Sequence, residues 1–127
     1  MAVQVLIVDD QEPFRAAARL VVEATDGFEV VGEVETGEAS IEAARELVPD
    51  LILMDVNLPG LSGLEATQRI LADSNGERPV VVLVLSTYEA AEFAAGAADA
   101  GAAGFIPKSE FTSERLELEW AGAQSAA

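Results

Sequence analysis

Short aliphatic runs alternate with longer stretches whose apolar positions recur every three or four residues, and the alternation repeats five times. The runs are VQVLIV (Val3 to Val8), FEVVGEV (Phe28 to Val34), LILM (Leu51 to Met54), VVVLVL (Val80 to Leu85) and AAGFI (Ala102 to Ile106). Strands alternating with helices predict an α/β domain around a mostly parallel sheet. The first, third and fourth runs are nearly continuous in Val, Ile and Leu, as in strands covered on both faces, and are expected at the centre. The second sets Phe28, Val30, Gly32 and Val34 against Glu29, Val31 and Glu33, and the fifth is short and interrupted by glycine. Both are expected at edges.

Four helices lie between these strands and a fifth follows the last. Pro13 suits the first turn of helix 1, whose apolar face is Phe14, Ala17, Ala18, Val21 and Val22. Thr36 can cap helix 2, which carries Ile41, Ala44, Leu47 and Val48 before Pro49 stops it. Ser62 and Glu65 form an S-x-x-E capping box for helix 3, which buries Leu64, Ile70 and Leu71. Helix 4, about Ala90 to Ala100, is mostly alanine around Gly96, with little side chain to pin it, and is expected to be the most mobile. Helix 5 starts near Thr112 or Ser113 and can pack Leu116 and Trp120. The expected division is one domain over 1–122 and a short tail or linker start over 123–127.

Composition narrows the chemistry. The 127 residues contain no cysteine and no histidine, which removes disulfides, thiolate chemistry and the usual general base. Twenty-three acids against seven bases give a net charge of -16. A surface so negative argues against direct nucleic-acid binding, which needs clustered Lys and Arg. No apolar run approaches a membrane span and no signal-peptide pattern opens the chain, so a cytoplasmic protein away from the membrane is expected. Six of the bases are arginine, and Lys108 is the only lysine.

The acids gain meaning from their places. Asp9 and Asp10 follow strand 1 and Asp55 follows strand 3, and doubly wound sheets bind ligands beyond the carboxyl ends of their strands. With strand 2 at one edge, strand 1 neighbours strand 3, the order is 2-1-3-4-5, and three carboxylates converge. Like charges so close are costly unless a cation or proton relieves them. An all-oxygen donor set suits Mg2+. Strand 4 delivers the hydroxyls of Ser86 and Thr87 to the same edge, and strand 5 runs into Lys108. Carboxylates, a metal, a hydroxyl and a lone ammonium make a site for a phosphoryl group. Neither a Walker loop nor a G-x-G-x-x-G is present to hold a nucleotide. The simplest home for that group is a carboxylate of the protein itself.

These residues resemble the receiver domain of two-component response regulators, with its CheY-like, flavodoxin-like fold. The resemblance covers about residues 3 to 120. It rests on VDD (Val8 to Asp10), MDVNLPGLSG (Met54 to Gly63), the hydroxyl pair after VVVLVL, and GFIPK (Gly104 to Lys108). It implies that Asp55 is the phosphoacceptor for a sensor histidine kinase. Asp10 and Asp55 would hold Mg2+ with the carbonyl of Asn57, and Asp9 would act through a water. Lys108 would pair with the phosphoryl oxygens, Ser86 would bond one of them, and Phe105 would be the aromatic switch on the helix 4, strand 5 and helix 5 face. The chain would catalyse only its own phosphorylation and dephosphorylation.

Some positions depart from the family pattern. Thr87 stands where a small residue is usual, and Ser109 rather than proline follows Lys108. Pro107 before the lysine is similar to the branch whose output domains are helix-turn-helix DNA binders (NarL/LuxR type). Tyr88 is bulky enough to screen water from an acyl phosphate. A stand-alone receiver and a piece cut after helix 5 are both expected possibilities, so a missing output domain and a homodimer are both candidate partners. A phosphatase of the haloacid dehalogenase type would want D-x-D where this chain has DDQEP. A flavin binder would want a hydroxyl-rich, aromatic first loop. An interaction module that is never phosphorylated is the remaining alternative, and such a module normally lacks one of the acids or the lysine.

Overall fold

The computed structural model describes residues 2–73, 80–87 and 90–125. Its elements are β1 (Val3–Val8), α1 (Glu12–Glu23), β2 (Phe28–Val34), α2 (Gly37–Leu47), β3 (Leu51–Asp55), α3 (Gly63–Asp73), β4 (Val81–Ser86), α4 (Ala90–Ala100), β5 (Gly104–Pro107), a single 3-10 turn (Lys108–Glu110) and α5 (Ser113–Ser125). All strand pairs are parallel and the order is β2-β1-β3-β4-β5, as the aliphatic pattern predicts.

The aliphatic strands divide their side chains between two cores. Val5, Ile7, Leu51, Leu53, Leu83, Leu85 and Ile106 point to the face covered by α1 and α5, where they meet Ala18, Val22 and Leu116. Leu6, Val8, Ile52, Met54, Val82 and Val84 point to the other face, against Ala66 and Ile70 of α3 and Ala97 of α4. Burial on both faces at about 25 cal/mol per Å² of apolar surface makes β1, β3 and β4 the rigid spine of the domain.

Local chemistry sets the helix ends. Proline opens α1. Thr36 Oγ1 accepts the Ala39 N–H at 3.0 Å, Ser62 Oγ accepts the Glu65 N–H at 3.2 Å, and Thr112 Oγ1 accepts the Arg115 N–H at 3.2 Å. Each bond satisfies an amide that the first turn leaves open. The last helix continues to Ser125.

Three expectations need correction. Leu47 and Val48 are not on the buried face of α2; they are 38% and 66% exposed. The helix stops at Leu47, and Val48 takes a left-handed φ of 46° that turns it outward. Leu47 lies over Gly32 of the edge strand, where a Cβ would come within 2.7 Å of its Cδ1, and among the described residues no further strand covers it. In α1, Ala17 is exposed while its neighbour Ala18 is buried. Lastly, β2 does not alternate regularly. Val5 pairs with Val30 but Leu6 pairs with Gly32, so Val31 is an extra residue in a bulge. Beyond it the strand changes phase, and Glu33 faces α1 while Val34 packs on the opposite core.

Candidate functional site

The carboxyl ends of β1, β3, β4 and β5 meet at one edge of the sheet. Oxygens of Asp9, Asp10 and Asp55 lie within 4.8 Å of one another there. Asp9 and Asp55 are buried, at 1% and 3% exposure, and Asp10 is exposed. The trio therefore has two carboxylates in the floor and one at the rim.

Each floor carboxylate is oriented by the backbone that follows it. The Gln11 N–H donates to Asp9 Oδ1 at 2.8 Å, and the Asn57 N–H donates to Asp55 Oδ1 at 3.2 Å. Both are two-residue turns in which an aspartate accepts from its own chain. Val56 extends the β3 ladder by donating to the Leu85 carbonyl at 3.0 Å. The loop then closes on itself, with the Gly63 N–H donating to the Val56 carbonyl at 3.1 Å. Gly60 takes a φ of 72°, open to glycine at little cost, and Glu38 of α2 accepts the Leu61 N–H at 3.4 Å.

Lys108 completes the floor. Its Nζ lies 2.6 Å from Asp9 Oδ2 and 3.6 Å from Asp55 Oδ2, and its side chain is 9% exposed. The contact with Asp9 is an ion pair without hydrogen-bond alignment, for Asp9 Oδ2 is buried and accepts no directed hydrogen bond. Burial pushes the Asp55 carboxyl up to about 6; Lys108 pulls it down, Asp9 and Asp10 push it further up, and the Asn57 amide eases it down. One ammonium only partly offsets three carboxylates. A small hard cation fits such a site, because the donors are all oxygen, their charge is only partly offset, and Asp9 Oδ2 accepts no directed hydrogen bond among the described residues.

Ser86 ends β4, fully buried and in register with Pro107, while Thr87 is exposed. Phe105 is half-buried, pairs with Val84 across the sheet and packs on the α3 and α4 side. Tyr88 lies outside the described residues.

Sequence reasoning assigned no site role to several residues here. Arg15 Nη1 donates to the Asp9 carbonyl at 2.7 Å and stands 3.6 Å from Glu35, while its Nε lies 3.7 Å from Glu33. Its position one helical turn beyond the acids was the available signal. Glu33 meets Arg15 and Arg19 only because of the β2 bulge, which nothing in the alternation announces. Arg115 Nη2 reaches the Phe105 carbonyl at 3.2 Å while its other nitrogens hold Glu110 and Glu119 at 2.6 and 2.9 Å.

A five-stranded parallel sheet in the order 2-1-3-4-5, with these acids beyond its carboxyl edge, defines a CheY-like domain. The response regulator receiver domain model matches residues 5–119, and the chain belongs to that family. It is 36% identical over 115 residues to response regulator GacA of Pseudomonas viridiflava, covering 91% of this chain and 52% of that protein. The chain spans about half the length of the curated relatives it matches. Among solved structures it resembles a LuxR-family two-component response regulator from Aurantimonas sp. SI85-9A1, with a TM-score of 0.87 and 29% identity over 98% of this chain and 87% of that one. The response regulator domain of Thermotoga maritima CheB superposes with a TM-score of 0.83 and 30% identity, covering 98% of each chain. No helix among the described residues is long and apolar enough to cross a membrane.

Proposed function

We propose that this receiver domain takes a phosphoryl group from the histidine of a sensor kinase onto Asp55, and that the new charge is read through Ser86, Phe105 and the face of α4, β5 and α5. The observation that carries this reading is the trio of carboxylates within 4.8 Å of one another, two of them buried, beside a single ammonium.

An Asp55 carboxylate oxygen attacks phosphorus, the new O–P bond forms as the N–P bond breaks, and the electron pair stays on the departing imidazole nitrogen. An acid pushed up to about 6 is still mostly ionised at neutral pH, so it needs no general base. Asp10, Asp55 and the Asn57 carbonyl would hold Mg2+, with Asp9 acting through a water. Bound there, the ion supplies neutralisation of the phosphoryl oxygens, the main requirement of such transfers. Lys108 is within reach of Asp55 and pairs with those oxygens. The product adds a charge of about -1.5 to -2 at a buried position. Ser86 donates to it, vacating space that Phe105 can enter, and the coupling is of the order of 1–3 kcal/mol.

The chain's catalysis is then confined to its own phosphorylation and dephosphorylation, within a domain over 1–122. Its partners are a cytoplasmic kinase domain and either an output domain on a longer chain or a second copy. Incubation with Mg2+ and acetyl phosphate followed by intact mass tests this. Stoichiometric addition of one phosphoryl group that vanishes in Asp55→Asn supports it. No addition from any donor or kinase favours an interaction module, and rapid release of free phosphate favours a phosphatase.

A further inference from the structure

The Lys108 ammonium touches a third group besides the two carboxylates. Its Nζ stands over the ring of Phe14, 4.4 Å from the centroid. Phe14 lies in the first turn of α1, and its ring packs against that of Phe111 with centroids 6.3 Å apart and planes 44° from parallel. Phe111 follows the 3-10 turn begun by Lys108, and its N–H returns to the Lys108 carbonyl at 3.3 Å. The three residues close a ring of contacts: the Lys108 side chain on Phe14, the Phe14 ring on Phe111, and the Phe111 backbone N–H on the Lys108 carbonyl.

We infer that Phe14 is a positioning residue for Lys108, resting on the phosphoacceptor reading of Asp55, and that its π face holds the ammonium where an incoming phosphoryl group needs it. Lysine has a flexible four-carbon stem and no fork to fix its head. The two carboxylates hold it unequally, 2.6 Å against 3.6 Å, and by themselves would draw it towards Asp9. An aromatic face attracts a cation without carrying a formal charge. A third carboxylate in its place would repel the arriving dianion; a phenyl ring does not. The ring's own position is set by burial against Phe111 and the α1 and α5 core, so it acts as a fixed wall beside a mobile head group.

Fluorination of the ring tests this, since successive fluorines weaken the π face while nearly preserving shape. Phe14 is replaced in the full chain by mono-, di- and trifluorophenylalanine, and the rate of phosphoryl uptake from acetyl phosphate with Mg2+ is followed by intact mass. The expected result is a monotonic fall of roughly three- to tenfold across the series, with thermal unfolding unchanged. Phe14→Trp should retain the rate and Phe14→Leu should lose it. A flat series with normal uptake by the unsubstituted protein overturns the inference alone, and makes Phe14 ordinary core even if Phe14→Leu is impaired. Failure of the unsubstituted protein to take up any phosphoryl group overturns the acceptor reading and this inference together.

Discussion

A Cβ placed on Gly63 would collide with the carbonyl oxygen of Asp55. The start of α3 therefore presses directly on the backbone of Asp55, and hydrogen at this position is a steric requirement.

Gly63→Ala should force either α3 or the Asp55 carbonyl to move. Overpacking of a tight site costs about 1–3 kcal/mol, seen as a lower urea midpoint. Phosphoryl uptake should drop more steeply than stability does, because the displaced backbone is that of Asp55. A substitution that lowers the midpoint while leaving uptake untouched would show that α3 alone yields.

The Asp55 carboxyl is raised from 3.8 to about 6, so at intermediate pH the folded protein binds a proton that the unfolded chain has released. Its favourable contribution is complete below about pH 4 and is lost as pH rises through about 6. Asp55→Asn should thus stabilise the metal-free protein by about 1–3 kcal/mol at pH 7, and the gain should shrink to nothing near pH 4. Thermal melts of both proteins from pH 4 to 8 check this. Added Mg2+ should raise the midpoint of the wild type much more than that of the variant.

Arg15→Ala should weaken Mg2+ binding roughly tenfold, measured by titration calorimetry. The side chain holds the carbonyl of Asp9 and so the turn that presents Asp9 and Asp10. Arg19→Ala is the control, for Arg19 grips Glu33 at 2.7 and 3.2 Å without touching that turn. Equal losses in the two variants would mean that the network acts only through α1 and β2.

Val48 is exposed and left-handed, a conformation costing a non-glycine residue about 1–2 kcal/mol, with β-branched side chains least tolerant of it. Val48→Asn should raise the unfolding free energy by about 0.5–1 kcal/mol, since asparagine tolerates this region and little burial is lost. Phosphoryl uptake should not change.

The sheet order and the convergence of the acids were legible because both follow from aliphatic runs and from what ends them. A strand rich in Val, Ile and Leu declares its burial, and Asp9, Asp10, Asp55, Ser86 and Lys108 inherit their positions from those strands. Features depending on contacts between distant segments were not legible. The pressure of Gly63 on Asp55, the grip of Arg15 on Asp9 and the seat of Lys108 on Phe14 each need two elements already docked. Helical spacing likewise counted Leu47 and Val48 among the apolar positions of helix 2, where the sheet's edge and a left-handed turn leave them exposed.

The bulge in β2 gives the edge of this sheet a spare residue. Removing Val31 would leave Val30 opposite Val5 and Gly32 opposite Leu6, so every pairing from Phe28 to Val34 keeps its partner. The outermost strand can thus absorb a one-residue deletion as slack. A similar loss within β1 would rotate Asp9 out of the floor. Tolerance to length change and responsibility for chemistry are thereby divided between two adjacent strands of one ladder.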